Sequence, residues 1–388
     1  MTALAAILVL VVLAGALICC VLVVAAARSY LAVRRPPLTR AVPISILMPL
    51  DGLDEGLEEN LRSYFRQDYA EFEILLAVRE AGDPAVGVVE KLQQEFPGVP
   101  ARLMVTGEPP YAHAKVWSLE RMLAEARHDL VVMSDSDTRA GPQLLTTVAT
   151  EFQDARLGVA TCPYRAIPGR SLWSTLEAIG MNTEFLAGLL AARLVEGVKF
   201  AVGPCVAARR ETLRAIGGFD RLKDYVSAED FVLGALAAKR GYRVILSSFV
   251  IEHRIGAQRL RPNLEHRLRW ARTTRRSRPA GYIGQLFTYP LPLALLLVAL
   301  KPAWWPLLGA TALLRAYAAW ATAGWVLRDP LTARRWWLVP LQDLASFAMW
   351  IAGFFGSTIT WRGRRYRLLG DGRVEAVNSP PRRGGRRG

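Results

Sequence analysis

Cysteine and histidine are scarce in this sequence, with four residues of each among 388. Cys19 and Cys20 are adjacent inside an apolar run, whereas Cys162 and Cys205 lie far apart, and no Cys-x-x-Cys or mixed Cys/His spacing occurs. This pattern predicts no zinc site of the usual ligand spacing. Nothing indicates a disulfide framework, and such cysteine usage fits a reducing compartment such as the cytoplasm.

Acidic residues are fewer than basic ones: the chain has 34 Asp and Glu and 49 Lys and Arg, which gives a formal net charge of +15. A balance this basic is typical of proteins that meet nucleic acid or an anionic membrane surface. The hydrophobic residues, 52% of the chain, are concentrated in long segments. These segments favour the membrane, and we expect no nucleic-acid partner.

The first apolar segment contains no charge from residue 2 to residue 27, which is long enough to span a bilayer. A cleaved signal peptide is the alternative, but the run is too long for one and lacks a basic start. We expect residues 1–28 to be a transmembrane anchor. The basic residues that follow place the next domain in the cytoplasm, in a protein of a bacterial-type inner membrane. They are Arg28, Arg34, Arg35 and Arg40.

Residues 41–280 alternate between predicted strands and predicted helices. Continuous apolar strands separated by helices indicate an α/β domain whose parallel sheet is covered on both faces. Ligands of such sheets bind beyond the carboxyl ends of the strands, where Asp51, Asp83 and Asp135 fall. The predicted strands are Ile44–Met48, Glu73–Val78, Arg102–Val105 and Leu130–Ser134, and the predicted helices are Leu57–Phe65, Val86–Phe96 and Val116–Ala126.

Residues 281–361 form a second membrane region by composition. The apolar stretches 285–300 and 303–327 predict a helical hairpin through the membrane. The stretch 336–361 contains Gln342 and Asp343, and it can be re-entrant, interfacial or a tight hairpin. Residues 362–388 form a basic tail that prefers the cytoplasm, and its end, Pro380–Gly388, has the composition of a disordered segment.

The run Asp135-Ser136-Asp137 follows an apolar strand and is the first candidate for chemistry. Two carboxylates one residue apart at a strand end can share Mg²⁺ or Mn²⁺, which would bridge to a diphosphate. A polar turn is the alternative, since Asp and Ser favour turns.

Glu229 and Asp230 precede an apolar helix and form the second candidate. Acidic residues at a helix start are ordinary capping residues. In the functional interpretation, Asp230 is the general base that removes a proton from an acceptor hydroxyl.

The third candidate is His266-Arg267-Leu268-Arg269-Trp270, within a basic helical stretch before the membrane hairpin. Arg269 can neutralise a leaving diphosphate, and Trp270 can pack against sugar or lipid. The alternative is a basic helix that contacts anionic headgroups. Lys115 is a further candidate, either as a phosphate ligand or as a solvated charge at a helix start.

Taken in order, Asp83, Asp135 with Asp137, Asp230 and Arg269-Trp270 resemble the D, D(x)D, D, (Q/R)xxRW series of the processive and lipid-modifying inverting glycosyltransferases. One position departs from the series, because His266 stands where the pattern has Gln or Arg.

The closer resemblance is to the ceramide glucosyltransferases (family 2/21-like) and the bacterial hopanoid-biosynthesis-associated glycosyltransferase, over about residues 40–373. The segments that carry it begin with Ser45–Gly52, Asn60–Tyr69, Gly82–Ala85 and Ser134–Asp137, and continue with Arg210–Phe219, Ala228–Asp230, Leu268–Thr273, Thr288–Pro292 and Trp361–Tyr366.

The resemblance implies a nucleotide-sugar-binding catalytic domain of the GT-A, Rossmann-like type and a UDP-sugar donor. It implies that Asp83 seats the nucleotide, that Asp135 and Asp137 hold Mg²⁺ or Mn²⁺, and that Arg269 and Trp270 close over UDP. Asp230 would then deprotonate a lipid hydroxyl that attacks with inversion.

Lipid glycosylation by hexose transfer is thus the main hypothesis, with ceramide or a hopanoid polyol as the acceptor. A hopanoid N-acetylglucosaminyltransferase and a processive polysaccharide synthase are alternative enzymes. The short membrane region argues against the synthase. A basic protein that binds anionic lipid is the non-enzyme alternative, but it leaves the aspartates after the strands without a role.

Overall fold

A computed structural model describes residues 2–225, 228–361 and 364–377. The helices predicted for the catalytic region form within one or two residues of their predicted ends. The α-helices are α1 Thr2–Leu31, α2 Leu57–Phe65, α3 Ala85–Glu95, α4 Ala114–Glu125, α5 Leu144–Glu151, α6 Leu172–Gly180, α7 Leu186–Val195, α8 Arg210–Ala215, α9 Glu229–Lys239, α10 Leu260–Ser277, α11 Pro279–Gly284, α12 Pro290–Leu300, α13 Trp305–Ala319, α14 Pro330–Arg334 and α15 Val339–Gly353.

The strands form one large sheet and two small ones. All four predicted strands are present as β1 to β4. The strands are β1 Ile44–Pro49, β2 Phe72–Val78, β3 Ala101–Val105, β4 Leu130–Ser134, β5 Thr138–Arg139, β6 Leu157–Thr161, β7 Tyr164–Ile167, β8 Cys205–Arg209, β9 Arg243–Leu246, β10 Ile251–Arg254, β11 Thr358–Trp361, β12 Arg364–Leu368 and β13 Val374–Ala376.

The large sheet has the order β3-β2-β1-β4-β8-β6-β9 and is mixed, so the prediction of a parallel sheet was wrong for one strand, β8. Strands β1 to β4 are parallel, but β8 runs antiparallel between β4 and β6. The reason lies in the chain path. Cys205, the first residue of β8, pairs with Ser134, the last residue of β4. The chain therefore enters β8 at the edge where β4 ends, and β8 must run in the opposite direction.

Hydrophobic side chains cover both faces of the large sheet. Ile44, Ile46 and Met48 pack into one buried cluster with α2 and α5, while Leu47 packs into another with α4. Successive strand side chains point to opposite faces, which explains why β1 reads as a continuous apolar run. Burial on both sides leaves the carboxyl ends of the strands as the open edge.

Within the part of the chain that the structure describes, two helices are long and apolar enough to cross a membrane: Ala3–Leu31 and Leu172–Val195. The first confirms the N-terminal apolar helix. The second joins α6 and α7 through a π-helical turn. It lies inside the predicted catalytic region, where no membrane span was expected. A third span is possible if the pair Pro279–Thr288 and Pro290–Leu300, bent by 64°, counts as one.

The C-terminal membrane region differs from the prediction in detail. Helices α12 and α13 pack side by side at the predicted hairpin, but α13 is not among the helices long and apolar enough to cross a membrane. The stretch 336–361 is divided, because α15 ends at Gly353 and residues 358–361 form strand β11. At 15 residues, α15 is about 22 Å long, shorter than the roughly 30 Å hydrocarbon core.

Strands β11, β12 and β13 form a small antiparallel sheet, in which β11 ends the predicted membrane region and β12 and β13 lie in the predicted basic tail. Within that tail, residues 362–363 and 378–388, including the predicted disordered end Pro380–Gly388, lie outside the described residues.

A buried ion pair joins two of the membrane-region helices. Arg315 on α13 and Asp343 on α15 form a bidentate pair, with Nε–Oδ2 and Nη2–Oδ1 distances of 2.8 and 2.7 Å. Both side chains are buried. Charged side chains inside a membrane region are costly unless they are paired. Arg315 and Asp343 each interrupt an apolar segment, and their ion pair compensates both charges.

Candidate active site

A cavity of about 1330 Å³ opens at the carboxyl ends of β1 and β4 and extends to the two candidate membrane spans. Its lining includes most of the predicted site residues: Lys115, Asp135, Asp137, Asp230, Arg269 and Trp270. The tertiary structure thus brings together residues from four separate parts of the predicted catalytic region.

Asp135 and Asp137 are held by neighbours on both sides. The amide of Asp135 donates to the carbonyl of Pro204 at 3.0 Å, and the carbonyl of Asp137 accepts from the amide of Arg254 at 2.7 Å. The Asp137 Oδ2 atom lies 3.2 Å from Nε2 of His253 on β10. The Asp-Ser-Asp run is therefore more than a solvated turn, since two neighbouring segments fix its backbone.

Lys115, near the start of α4, bridges two carboxylates. Its Nζ lies 2.7 Å from Asp135 Oδ1 and 3.0 Å from Glu229 Oε1. His113 Nε2 lies 3.3 Å from the other oxygen of Glu229. Lys115 is consequently not a solvated helix-start charge. This role of Glu229 could not be predicted from the sequence, because only the fold brings α9 against α4.

Asp230 is the second residue of α9. Its Oδ1 accepts a hydrogen bond from its neighbour's amide, that of Phe231, at 2.8 Å. A Cβ atom on Gly203 would lie 3.1 Å from Asp230 Oδ2. The absence of a side chain at Gly203 therefore leaves Oδ2 room within the cavity.

Arg269 and Trp270 lie on α10 and line the same cavity. Arg269 is buried, and Trp270 packs against His266 with ring centroids 4.8 Å apart. His266 Nδ1 lies 2.8 Å from Oε1 of Glu177, whose other oxygen accepts from Asn263 at 2.6 Å. Glu177 was not among the predicted residues, since nothing in the sequence links α6 to α10.

Asp83 is the exception among the predicted residues, because it does not line the cavity. Its carboxylate accepts from the amide of Gly52 at 3.1 and 3.2 Å and from that of Ala85 at 2.9 Å. Gly52 follows Asp51, which does line the cavity. Asp83 thus fixes the loop that carries Asp51, and its predicted part in seating the nucleotide stays a prediction.

Burial and mutual charge separate the pKa values of the acidic residues. Burial, with the neighbouring Glu229 charge, raises the pKa of Asp230 to about 7. Burial raises the pKa of Asp135 as well, against the opposing effect of Lys115. For Glu229, burial acts upwards, but Lys115 and His113 outweigh it and hold the pKa well below its usual range. The pKa of Asp230 therefore lies near neutral pH, which is the range that suits a general base.

The pKa values of two basic residues in the site, Arg269 and His253, shift in opposite directions. Burial lowers the pKa of Arg269 to about 10, which still leaves the guanidinium charged at neutral pH. Burial also acts downwards on His253, but the carboxylate of Asp137 raises its pKa on balance. The same pairing lowers the pKa of Asp137 despite its burial.

The Asp135–Asp137 pair fits a divalent cation in part. Among the residues that the structure describes, no group of three or more His, Cys, Asp or Glu side chains is arranged to hold a metal ion. Mg²⁺ commonly takes only one or two carboxylates and completes its shell with phosphate oxygens and water. The Oδ1 atom of Asp137 is buried without a hydrogen-bond partner. That oxygen is available to a cation that arrives with a diphosphate.

Comparison with solved structures identifies the class of fold. A mannosyltransferase from Pyrobaculum calidifontis, solved with GDP-Man and Mn²⁺, superposes over 90% of this chain and 99% of its own, with a TM-score of 0.52 and 21% identity. At that identity the likeness concerns the fold, which is that of a GT-A glycosyltransferase.

The family follows from the sequence. The model of glycosyl transferase family 21 matches residues 5–374. The chain belongs to this family and is a glycosyltransferase.

Curated relatives include ceramide glucosyltransferases. Ceramide glucosyltransferase 1 of Caenorhabditis elegans is 27% identical over 207 residues, 53% of this chain and 44% of the relative. The ceramide glucosyltransferase of Komagataella phaffii is 34% identical over 98 residues, 24% of this chain and 19% of the relative. The matches thus span less than half the length of these relatives.

Proposed function

We propose that this glycosyltransferase moves a hexose from a UDP-sugar to the hydroxyl group of a membrane lipid, with inversion at the anomeric carbon. One observation carries the proposal. The cavity that contains Asp135, Asp137 and Asp230 continues without a break to the helices that can span a membrane. A donor from water and an acceptor from the bilayer could meet there.

Asp230 is the proposed catalytic base. With a pKa of about 7, a large fraction of Asp230 is ionised near neutral pH, and the group can still take up a proton as the hydroxyl attacks. Gly203 leaves space beside Oδ2, where the hydroxyl group would lie. A single displacement with the base on the side opposite the leaving group turns an α-linked donor into a β-linked product.

Arg269 and Lys115 are the proposed partners of the nucleoside diphosphate. Both carry positive charge in a partly water-excluded cavity, where a fixed cation stabilises developing negative charge strongly. Asp135 and Asp137 would hold Mg²⁺ or Mn²⁺, which when bound neutralises the diphosphate. Trp270 offers an apolar wall to the sugar. Asp83 would act on the nucleotide through the Asp51–Gly52 loop that it holds.

The orientation is proposed from charge. Arg28, Arg34, Arg35 and Arg40 follow α1, so the positive-inside rule places the catalytic region in the cytoplasm. A bacterial-type inner membrane is the proposed location. The ceramide glucosyltransferases among the curated relatives make ceramide the first acceptor to test, with a hopanoid polyol second.

The test is transfer by the full-length protein in detergent micelles with Mn²⁺. Radiolabelled UDP-glucose and UDP-N-acetylglucosamine are supplied in separate reactions to ceramide and to a hopanoid polyol. Labelled lipid in any reaction supports lipid glycosylation and identifies both substrates. Label on a growing polysaccharide, with none on lipid, would overturn the proposal in favour of a synthase.

A further inference from the structure

The cavity has a second section, beyond Asp135, Asp137 and Asp230, that the chemistry of sugar transfer does not need. Small and aliphatic side chains of α1 and α7 line it together with the turn that follows α11. From α1 these are Gly15, Ile18, Cys19 and Leu22, and from α7 they are Gly188, Leu189, Ala191, Ala192 and Val195. We call this part of the cavity the apolar section. Glu184 and Glu196, which flank α7 and also line the cavity, are paired with Tyr289 and Arg278.

The apolar section begins beside the proposed base. Phe231 directly follows Asp230, and its ring stacks with that of Phe200 at a centroid distance of 6.4 Å. Both rings line the cavity. An alcohol whose oxygen lies at Asp230 would therefore have its carbon atoms against aromatic and aliphatic groups.

The other end of the apolar section is bounded by large apolar side chains that are exposed. Ile18 is 62% exposed, Val195 is 71% exposed, and Leu22 and Phe287 are each more than a third exposed. In water such a patch would be unfavourable, whereas hydrocarbon would cover it. Ile18 and Leu22 belong to one candidate membrane span and Val195 to the other. The opening is thus between two helices suited to a bilayer.

Glycine sets the width of the apolar section. A Cβ atom on Gly15 would lie 2.7 Å from Cε1 of Phe287, so α1 and the Phe287 ring are in close contact there. Gly188, in contrast, faces open space, because an added Cβ atom would meet no atom within 4 Å. Gly188 lines the cavity, and the space in front of it is empty of protein atoms.

We infer that the apolar section between α1 and α7 is a binding site for a long hydrocarbon chain of the acceptor, which enters from the bilayer between Ile18 and Val195. Gly188 is the residue that keeps the site wide enough. This inference rests on the proposed function for the identity of the acceptor as a lipid, but the site itself can be tested without any transfer reaction.

The variant Gly188→Leu tests the site, because an added Cβ atom meets no atom within 4 Å and the rest of the side chain would extend into the cavity that Gly188 lines. Leucine is also a better helix former than glycine, so α7 should not be weakened. Gly309→Leu is the matched control. It makes the same exchange in α13, also with no atom within 4 Å, at a glycine that does not line the cavity.

With ceramides as acceptors, Gly188→Leu should raise KM for an N-octadecanoyl chain by at least about tenfold, as expected from displacing two buried methylene groups. KM for the UDP-sugar and the binding of UDP, measured by calorimetry, should be unchanged. Gly309→Leu should match the parent protein. Equal KM values for the long-chain acceptor in the three proteins would overturn the inference.

The second measurement needs no transfer. Full-length protein in phosphatidylcholine vesicles is irradiated with a hexadecanol that carries a terminal diazirine, and labelled residues are located by mass spectrometry. We expect label on residues 188–195 that unlabelled hexadecanol competes away, and a several-fold loss in Gly188→Leu alone. Label that is not competed, or that persists in Gly188→Leu, would overturn the site. If the site is labelled but no lipid is glycosylated, the proposed function fails and the hydrocarbon site stands.

Discussion

Lys115 and Asp135 form an ion pair at the entrance to the carboxylate cluster, with 2.7 Å between Nζ and Oδ1. The same ammonium group contacts Glu229 at 3.0 Å. One cation therefore holds together the end of β4 and the start of α9, on which the proposed metal ligands and the proposed base lie. This relationship makes Lys115 as much a structural residue of the site as a candidate ligand of phosphate.

Replacing Lys115 by methionine keeps most of the volume but removes the charge. Two carboxylates then lose their partner in a partly buried site, so the cost should stay below the roughly 3–5 kcal/mol of breaking a fully buried pair. We expect a lower unfolding temperature and a large loss of transfer. Thermal unfolding and transfer rates in detergent measure both effects. Lys91→Met, at an exposed lysine paired with Glu58, is the control and should change neither.

Asp230→Asn removes the proposed base with little change in shape. General-base catalysis contributes about 10²–10⁴-fold, so kcat should fall by that factor while the Kd for UDP changes little. Asp220→Asn, at an exposed carboxylate near the same segment, should keep full activity. A variant Asp230→Asn with near-normal kcat would show that another group takes the proton.

The raised pKa of Asp230 predicts an acid limb in the pH profile. The base must be deprotonated to act, so kcat/KM should fall tenfold per pH unit below about 7. Burial and the Glu229 charge both raise this pKa. Glu229→Gln removes a negative neighbour and should therefore move the limb to lower pH. A limb that stays in place, or moves upwards, contradicts the assignment of the titrating group to Asp230.

Chelation tests the Asp135–Asp137 pair. EDTA should stop turnover, and added Mn²⁺ or Mg²⁺ should restore it, because the pair would hold the cation on the diphosphate. Asp137→Asn loses one carboxylate charge and should need a higher Mn²⁺ concentration for half-maximal rate. Full turnover in EDTA would remove the metal from the role proposed for these aspartates.

His266 stands where the (Q/R)xxRW series has Gln or Arg, and substitutions there show whether the site requires histidine. Its Nδ1 faces Glu177, so that nitrogen carries the proton if the contact is a hydrogen bond to a carboxylate. The amide group of a glutamine at this position could donate to the same carboxylate, and His266→Gln should retain most activity. Glu177→Leu leaves His266 and Asn263 without their buried acceptor and should lower kcat through misplacement of Trp270. Similar rates for both variants and the parent would contradict this positioning role.

The sequence by itself determined the first strands and helices of the catalytic region and the order of the candidate site residues along the chain. The first four strands and three helices follow from local apolar patterns, which depend on neighbours a few residues apart. The N-terminal apolar helix follows from an uninterrupted run, and the carboxylates after β4 follow from the place where that strand must end. The resemblance to a known family used the same linear order.

Only the tertiary structure decided which groups meet. Long-range contacts account for the features that were not predicted. They are the antiparallel pairing of β8, the bridge from Lys115 to Glu229, the contact of Glu177 with His266, and the hydrogen bond from the Gly52 amide to Asp83. The candidate span at residues 172–195 was not predicted, because Glu177, Glu184 and Arg193 interrupt its apolar residues and its mean hydropathy is only 1.3. Two of those charges are placed by the fold against His266 and Tyr289, where hydrogen bonds satisfy them. Local patterns carry no information on such partners, since a side chain many residues away supplies each one.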